Sequence, residues 1–178
     1  MKTKEQIKGS IDWLRYQINK LAKGSKTLKS LAERGESSLA IGKMAFFIYD
    51  PKYKATLPYY DKFPLTIIVN IGSDYFEGLN VHYLPPKIRS IFLVRLFELL
   101  NNDKMNKSTR FEISYKMLKS ASKLKYFAPC FKRYLYSHVK SRINIIKPEE
   151  WHNAILLPVA KFSGASKAAV WKDSKRKY

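Results

Sequence analysis

Residues Lys43–Leu84, KMAFFIYDPKYKATLPYYDKFPLTIIVNIGSDYFEGLNVHYL, hold the strand periodicity and turn chemistry that decide the fold. Met44, Phe46 and Ile48 alternate with Ala45, Phe47 and Tyr49, the period of two that a pleated strand imposes. Asp50-Pro51 closes that run, because proline has no N–H to give to a ladder. Leu65–Ile71 is a β-branched apolar run of strand length, and Gly72-Ser73-Asp74 is a turn. Phe76–Leu84 then returns with Leu79, Val81 and Tyr83 on one face, so it pairs with the preceding run as a hairpin. The aromatic connection Tyr59–Pro64 is expected to fold back over the sheet. These features predict an α+β fold. A small bent antiparallel sheet or partial barrel, with strands near 43–49, 65–71, 76–84 and 142–146, carries flanking helices and an N-terminal amphipathic helix.

Outward from this module, residues 4–23 read as that amphipathic helix. Ile7, Ile11, Leu14, Ile18 and Leu21 fall at spacings of four and three, and Gly24 sits at the C′ position. Residues 35–42, with two glycines and two serines, read as a linker. On the other side, Pro86 opens a helix whose Ile88, Ile91, Phe92, Leu96 and Leu99 predict near-complete burial against the sheet. Ser108-Thr109 caps a further helix, Pro148 starts a short one at Trp151, and another lies around 165–171. The expected organisation is an N-terminal helical extension (1–42), an α+β core (43–158) and a basic C-terminal tail (159–178).

Charge narrows the function. Thirty-four Lys and Arg against fourteen Asp and Glu leave +20, which favours a polyanionic partner. Nucleic acid leads, followed by an anionic membrane and an acidic protein surface. Between Glu112 and Glu149 there is no acidic residue, whereas Lys116, Lys119, Lys123, Lys125, Lys132, Arg133, Lys140, Arg142 and Lys147 are basic. Tyr126, Phe127, Phe131, Tyr134 and Tyr136 are interleaved with them, the mixture that a phosphate-tracking surface needs. The same aromatics would equally serve a core, with the lysines as its solvated face. A second basic cluster, Lys172, Lys175, Arg176 and Lys177, closes the sequence. The expected nucleic-acid-binding set is therefore Lys116, Lys119, Lys123, Lys125, Lys132, Arg133, Lys140, Arg142, Lys172, Lys175, Arg176 and Lys177.

No motif announces catalysis. There is no phosphate-cradling glycine loop, and His82, His138, His152 and Cys130 have no zinc-ligand spacing. Asp61, Asp74 and Glu77 read as turn residues, His82 as a hydrogen-bonded strand histidine, and Cys130 as a small buried apolar residue. No enzyme, no metal and no cofactor are expected. The lone cysteine excludes an internal disulfide, and no apolar run or secretory leader points to a membrane, so a cytoplasmic origin is expected.

Three runs carry a resemblance: Tyr49-Asp50-Pro51-Lys52, Leu57-Pro58-Tyr59-Tyr60-Asp61-Lys62-Phe63-Pro64-Leu65, and Gly78-Leu79-Asn80-Val81-His82-Tyr83-Leu84-Pro85. With Pro129-Cys130-Phe131-Lys132-Arg133-Tyr134-Leu135 and Val170-Trp171-Lys172-Asp173-Ser174, they cover about half of the chain. The pattern resembles small virion proteins of large tailed, T-even-like phages, of the DNA end protector type. The resemblance assigns no catalytic or binding residue. It implies a structural, DNA-associated virion protein, present in host cytoplasm during assembly, that protects the packaged genome end near the portal or neck. The alternative is a head, neck or tail assembly component whose basic surfaces meet other virion proteins, with homo-oligomerisation open to both.

Overall fold

The computed structural model describes residues 39–100, 127–147 and 150–176. The helix expected over 4–23, the capped helix after Ser108 and the linker up to residue 38 lie outside the described residues. The fold is α+β. A five-stranded antiparallel sheet has the order β5-β4-β3-β1-β6, with β1 Met44–Phe46, β3 Leu65–Ile71, β4 Tyr75–Asn80, β5 Phe131–Leu135 and β6 Asn144–Ile146. A second ladder pairs β2 (Tyr60–Asp61) with β7 (Phe162–Ser163). The described α-helices are α1 (Pro86–Leu100), α2 (Trp151–Ala154) and α3 (Lys167–Arg176), and 3₁₀ turns lie at Val81–Tyr83, Ala128–Cys130 and Tyr136–His138. The sheet is open, and no described helix is long and apolar enough to cross a membrane.

The hairpin forms as the sequence predicts: Ile67 faces Leu79 and Ile71 faces Phe76, with a bulge between Ile68 and Asn70. Its return strand is shorter than expected. It ends at Asn80, whose side chain accepts the His82 N–H at 3.0 Å and turns Val81–Tyr83 into a 3₁₀ turn. The first strand also shortens to Met44–Phe46, with Tyr49 making an isolated bridge to Val139, and the strand expected over 142–146 begins at Asn144. Three strands were not anticipated. β5 forms the edge beside β4, and the aromatic connection, expected to fold back, does so as β2 paired with β7.

Both faces of the sheet are covered. On one, Met44, Phe46, Leu65, Ile67 and Leu79 pack with Phe92, Leu93 and Leu96 of α1, Trp151 and Ala154 of α2, and Val170 of α3. On the other, Ala45, Phe47, Tyr49, Ile68, Phe76, Tyr134 and Ile145 form an aromatic cluster, with Leu39 packed against it. Tyr134 meets Phe47 edge-on at 5.0 Å and stacks with Phe76 at 5.3 Å. This is why β1 is apolar at every position: its alternation separates two cores rather than a core from water. Gly78 sits where β4 crosses this packing, and a Cβ there would lie 2.7 Å from the Ile67 carbonyl oxygen.

Helix α1 starts at Pro86, but it is not nearly buried, since Ile91 and Val94 are 49% and 45% exposed. Its buried face instead includes a charge. Arg89 donates to the carbonyls of Leu84 (2.7 Å), Ile155 (3.0 Å) and His82 (3.1 Å) and lies 5.6 Å from the Trp171 ring. Burial lowers its pKa to about 10. The segment after residue 159 does not hang free. β7 pairs with β2, Val170 is fully buried, and Trp171 Nε1 donates to the His82 carbonyl at 2.9 Å. Gly164, at φ +87°, makes the turn between β7 and α3, where a Cβ would strike the Pro58 carbonyl. At the other end, Gly42 N–H donates to Ile68 O, so the packed core extends back beyond residue 43 at least to Leu39.

Arg89→Met would keep the apolar stem, strand the buried Leu84 and Ile155 carbonyls and leave the His82 carbonyl to Trp171 alone. It is expected to cost about 3 kcal/mol or more, read as a lower denaturant midpoint at unchanged slope. A shift below about 1 kcal/mol would show that water replaces the guanidinium.

Candidate nucleic-acid interface

Of the expected binding set, Lys116, Lys119, Lys123, Lys125 and Lys177 lie outside the described residues. The others lie on three different segments: β5, the β5–β6 connection and α3. Lys132 and Arg133 alternate along β5, one edge of the sheet. Arg133 is occupied: its Nε and Nη2 donate to Glu77 Oε1 at 3.0 and 2.8 Å, and its guanidinium lies 4.3 Å from the Tyr75 ring centroid. Glu77 is correspondingly acidified, first by its hydrogen bond from Asn70 and then by Arg133. Lys132 Nζ sits 4.4 Å over the Tyr83 ring. Strand β5 thus spends much of its charge on its own sheet.

Lys140 and Arg142 are placed differently. Both are exposed on the connection from β5 to β6, which crosses the end of β1. There Lys140 N–H donates to Ile48 O at 2.8 Å, and Ser141 Oγ accepts from Ile48 N–H at 2.9 Å. The same end of β1 leads into the turn Lys52–Pro58, exposed throughout. Asp50 joins the two segments: its N–H donates to His138 O, and the His138 Nδ1–H donates to Asp50 O at 2.8 Å. Lys54 hydrogen-bonds the Asp50 carboxylate at 2.9 Å, and with Lys140 and His138 nearby that carboxyl stays below its ordinary pKa. Sequence reading passed over Lys52, Tyr53 and Lys54. Their signal was an aromatic residue between two lysines directly after Asp-Pro.

Lys172 is exposed on α3, away from the buried Val170 and Ser174 of the same helix. Lys175 and Arg176 continue that helix.

The buried polar residues form a separate group. Asp61 Oδ2 lies 2.7 Å from His82 Nδ1 and 3.1 Å from Asn80 Nδ2, while Oδ1 accepts the Phe63 N–H at 3.0 Å. Asn80 also donates to the Tyr134 hydroxyl at 3.1 Å. Asp61 is therefore a buried strand residue, not a turn residue, and His82 sits in the 3₁₀ turn rather than a strand. Burial depresses the His82 pKa against the opposing pull of Asp61, and Arg89 and Lys167 depress it further. The imidazole is neutral, its Nδ1–H given to Asp61. Its Nε2 and the Oγ of Ser174 are buried without a hydrogen-bond partner among the described residues. An Asp–His pair of this kind can act as a general base, but both side chains are shut off from solvent. Here the pair organises the fold. Cys130 is buried as expected, and burial raises its thiol pKa to about 12. No group of three or more His, Cys, Asp or Glu side chains able to hold a metal occurs among the described residues.

The sequence matches the family described as phage T4 terminal DNA protecting protein over residues 3–176. The chain belongs to this family. No curated protein and no solved structure matches it. Membership joins this family member to bacteriophage DNA protection, as its resemblance to the end protector group implied. The geometry above separates two kinds of cation: those of β5, engaged within the sheet, and the outward-facing Lys140, Arg142 and Lys52–Pro58 turn.

The His82 environment gives a pH dependence. Its folded pKa lies below the ordinary imidazole value of about 6.5. The stability linked to it is fully present above that value and is lost as pH falls through the depressed folded one. Thermal melts between about pH 7.5 and pH 5.5 should therefore show falling stability, with a flatter profile in His82→Gln. An equally steep profile in the variant would assign the dependence to other groups.

Proposed function

We propose that this chain is a non-enzymatic virion protein that binds double-stranded DNA without sequence preference and shields the end of the packaged phage genome, at the portal or neck. Membership in the DNA-protecting family carries this reading. The +20 charge supports it, because a polyanion relieves the self-repulsion of such a surface. Protection by occupancy needs no reacting group: a nuclease that must engage a terminus is blocked by a protein already seated there.

The described contacts rank the cations. Lys140 and Arg142 face outward and can exchange solvent for phosphate at little cost, whereas Arg133 must first leave Glu77 and Tyr75. Lys172 on α3 and the basic residues outside the described segments extend the same reading. The N-terminal extension read over 1–42 would dock on another virion protein or a second copy, through the heptad seam read at residues 7–21.

Duplex binding should weaken by orders of magnitude between about 50 and 200 mM salt. Lys140→Gln and Arg142→Gln should each lower the salt slope by about one phosphate equivalent, and Arg133→Gln by less. A flat salt response would favour the assembly component that touches only protein. Incubated with linear duplex and Mg²⁺, the protein should leave the DNA intact and slow its digestion by an added exonuclease. Cleavage that disappears in Asp61→Asn or Glu77→Gln would overturn the non-enzymatic reading.

A further inference from the structure

A protein that protects a terminus has to distinguish it from the side of a duplex. Along its sides a duplex offers phosphates and groove edges; only at an end does it offer the flat face of a base pair. An end-reading surface therefore needs an exposed ring held rigidly among cations.

The turn that follows β1 has this composition. Tyr53 is 64% exposed, the most exposed large apolar side chain among the described residues. The backbone that carries it is fixed. Lys54 N–H donates to Pro51 O at 3.2 Å, and Thr56 donates to Tyr53 O through both its N–H and its hydroxyl at 3.0 Å. Lys54 Nζ spans both Asp50 carboxylate oxygens at 2.9 and 3.0 Å, and Asp50 is itself tied to His138. Little ordering remains to be done on binding, which favours affinity. Lys52 Nζ lies 5.3 Å from the ring centroid, leaving most of the ring open, and Lys140 and Arg142 emerge from the segment bonded to Ile48 and Asp50.

The geometry points to Tyr53 as the element that recognises a DNA end: its ring stacks on the terminal base pair of a blunt duplex, while Lys52, Lys140 and Arg142 hold the phosphates nearest that end. This rests on the DNA-binding reading above and adds to it the residue that tells an end from a side. An acidic protein surface would engage the lysines but does not offer the broad flat face of a base pair to the ring. A single strand could stack as well, so it enters as a competitor.

The full-length protein is compared on a short blunt duplex, a covalently closed circular duplex and a single strand, at low salt. The wild type should prefer the open duplex to the circle. Tyr53→Ala should lose that preference by at least about fivefold, within the range for base–aromatic stacking, with unchanged affinity for the circle. Tyr53→Trp should retain it. A fluorescent adenine analogue at the terminal position should be quenched by the wild type and by Tyr53→Trp, not by Tyr53→Ala. The side chain is exposed, so all three proteins should melt alike. Equal binding of open and closed duplexes by the wild type, an undiminished preference in Tyr53→Ala, or full competition by the single strand would overturn the assignment to Tyr53 and leave duplex binding standing. If the wild type bound neither duplex, the DNA-binding reading itself would fall, and this inference with it.

Discussion

A carboxylate taken out of water must be surrounded by donors, and Asp61 is surrounded by donors from separate parts of the chain. Phe63 supplies a backbone N–H, Asn80 an amide at the end of β4, and His82 an imidazole N–H from the turn beyond it. The His82 carbonyl in turn receives Arg89 from α1 and Trp171 from α3. A displaced partner would leave a buried polar group unmet at about 1–3 kcal/mol, more for the charge. The β2 connection, the hairpin, α1 and α3 are therefore held in mutual register by one small polar cluster. The aromatic face of the sheet is joined to it through Tyr134, whose hydroxyl accepts from Asn80.

The two-sided core limits where a large anion can be met. With Met44 and Phe46 under the helices and Ala45 and Phe47 under the second cluster, neither face of β1 is open. Among the described residues, what remains is rim: the edge strands, the turn after β1, the β5–β6 connection and the outer side of α3. Cations on a rim keep their hydration until phosphate replaces it, so they contribute attraction without a burial penalty in the unbound protein. Arg133, clamped by Glu77 and Tyr75, shows how a basic residue on an edge strand can instead serve the sheet.

What the sequence made legible was local. Leu65–Ile71, the Gly72–Asp74 turn and the Pro86 helix start depend on neighbours within a few residues, and all three stand where periodicity and turn chemistry place them. β5 was hidden because Phe131 and Tyr134 face opposite sides of the sheet with Lys132 and Arg133 between them. The run therefore shows no apolar period of two and reads as well for a charged surface as for an edge strand. Asp61 looked like a turn residue because nothing beside it signals burial; its partner His82 lies 21 positions away. The packing of this basic segment was hidden for the same reason. The composition of 159–178 is basic, but Val170, Trp171 and Ser174 share the one stripe of α3 that meets the core. Of the cations expected to bind, Lys140, Arg142 and Lys172 face solvent. The exposure of Tyr53 was not legible, because exposure of an aromatic is a tertiary fact.

The pairing of β2 with β7 also bears on how the protein is made. The Tyr59 hydroxyl donates to Asp173 at 2.6 Å across 114 positions, and Trp171 reaches His82 across 89. A nascent chain that has emerged only through α1 has the hairpin but lacks the strands and the helix that cover the buried histidine. Loop closure over such separations comes late and slowly. Translation must then deliver residues 162–174 before the polar cluster is sealed, and a ribosome product that stops short of them exposes its apolar face to chaperones and proteases. Completion of the core thus reports that synthesis has passed α3.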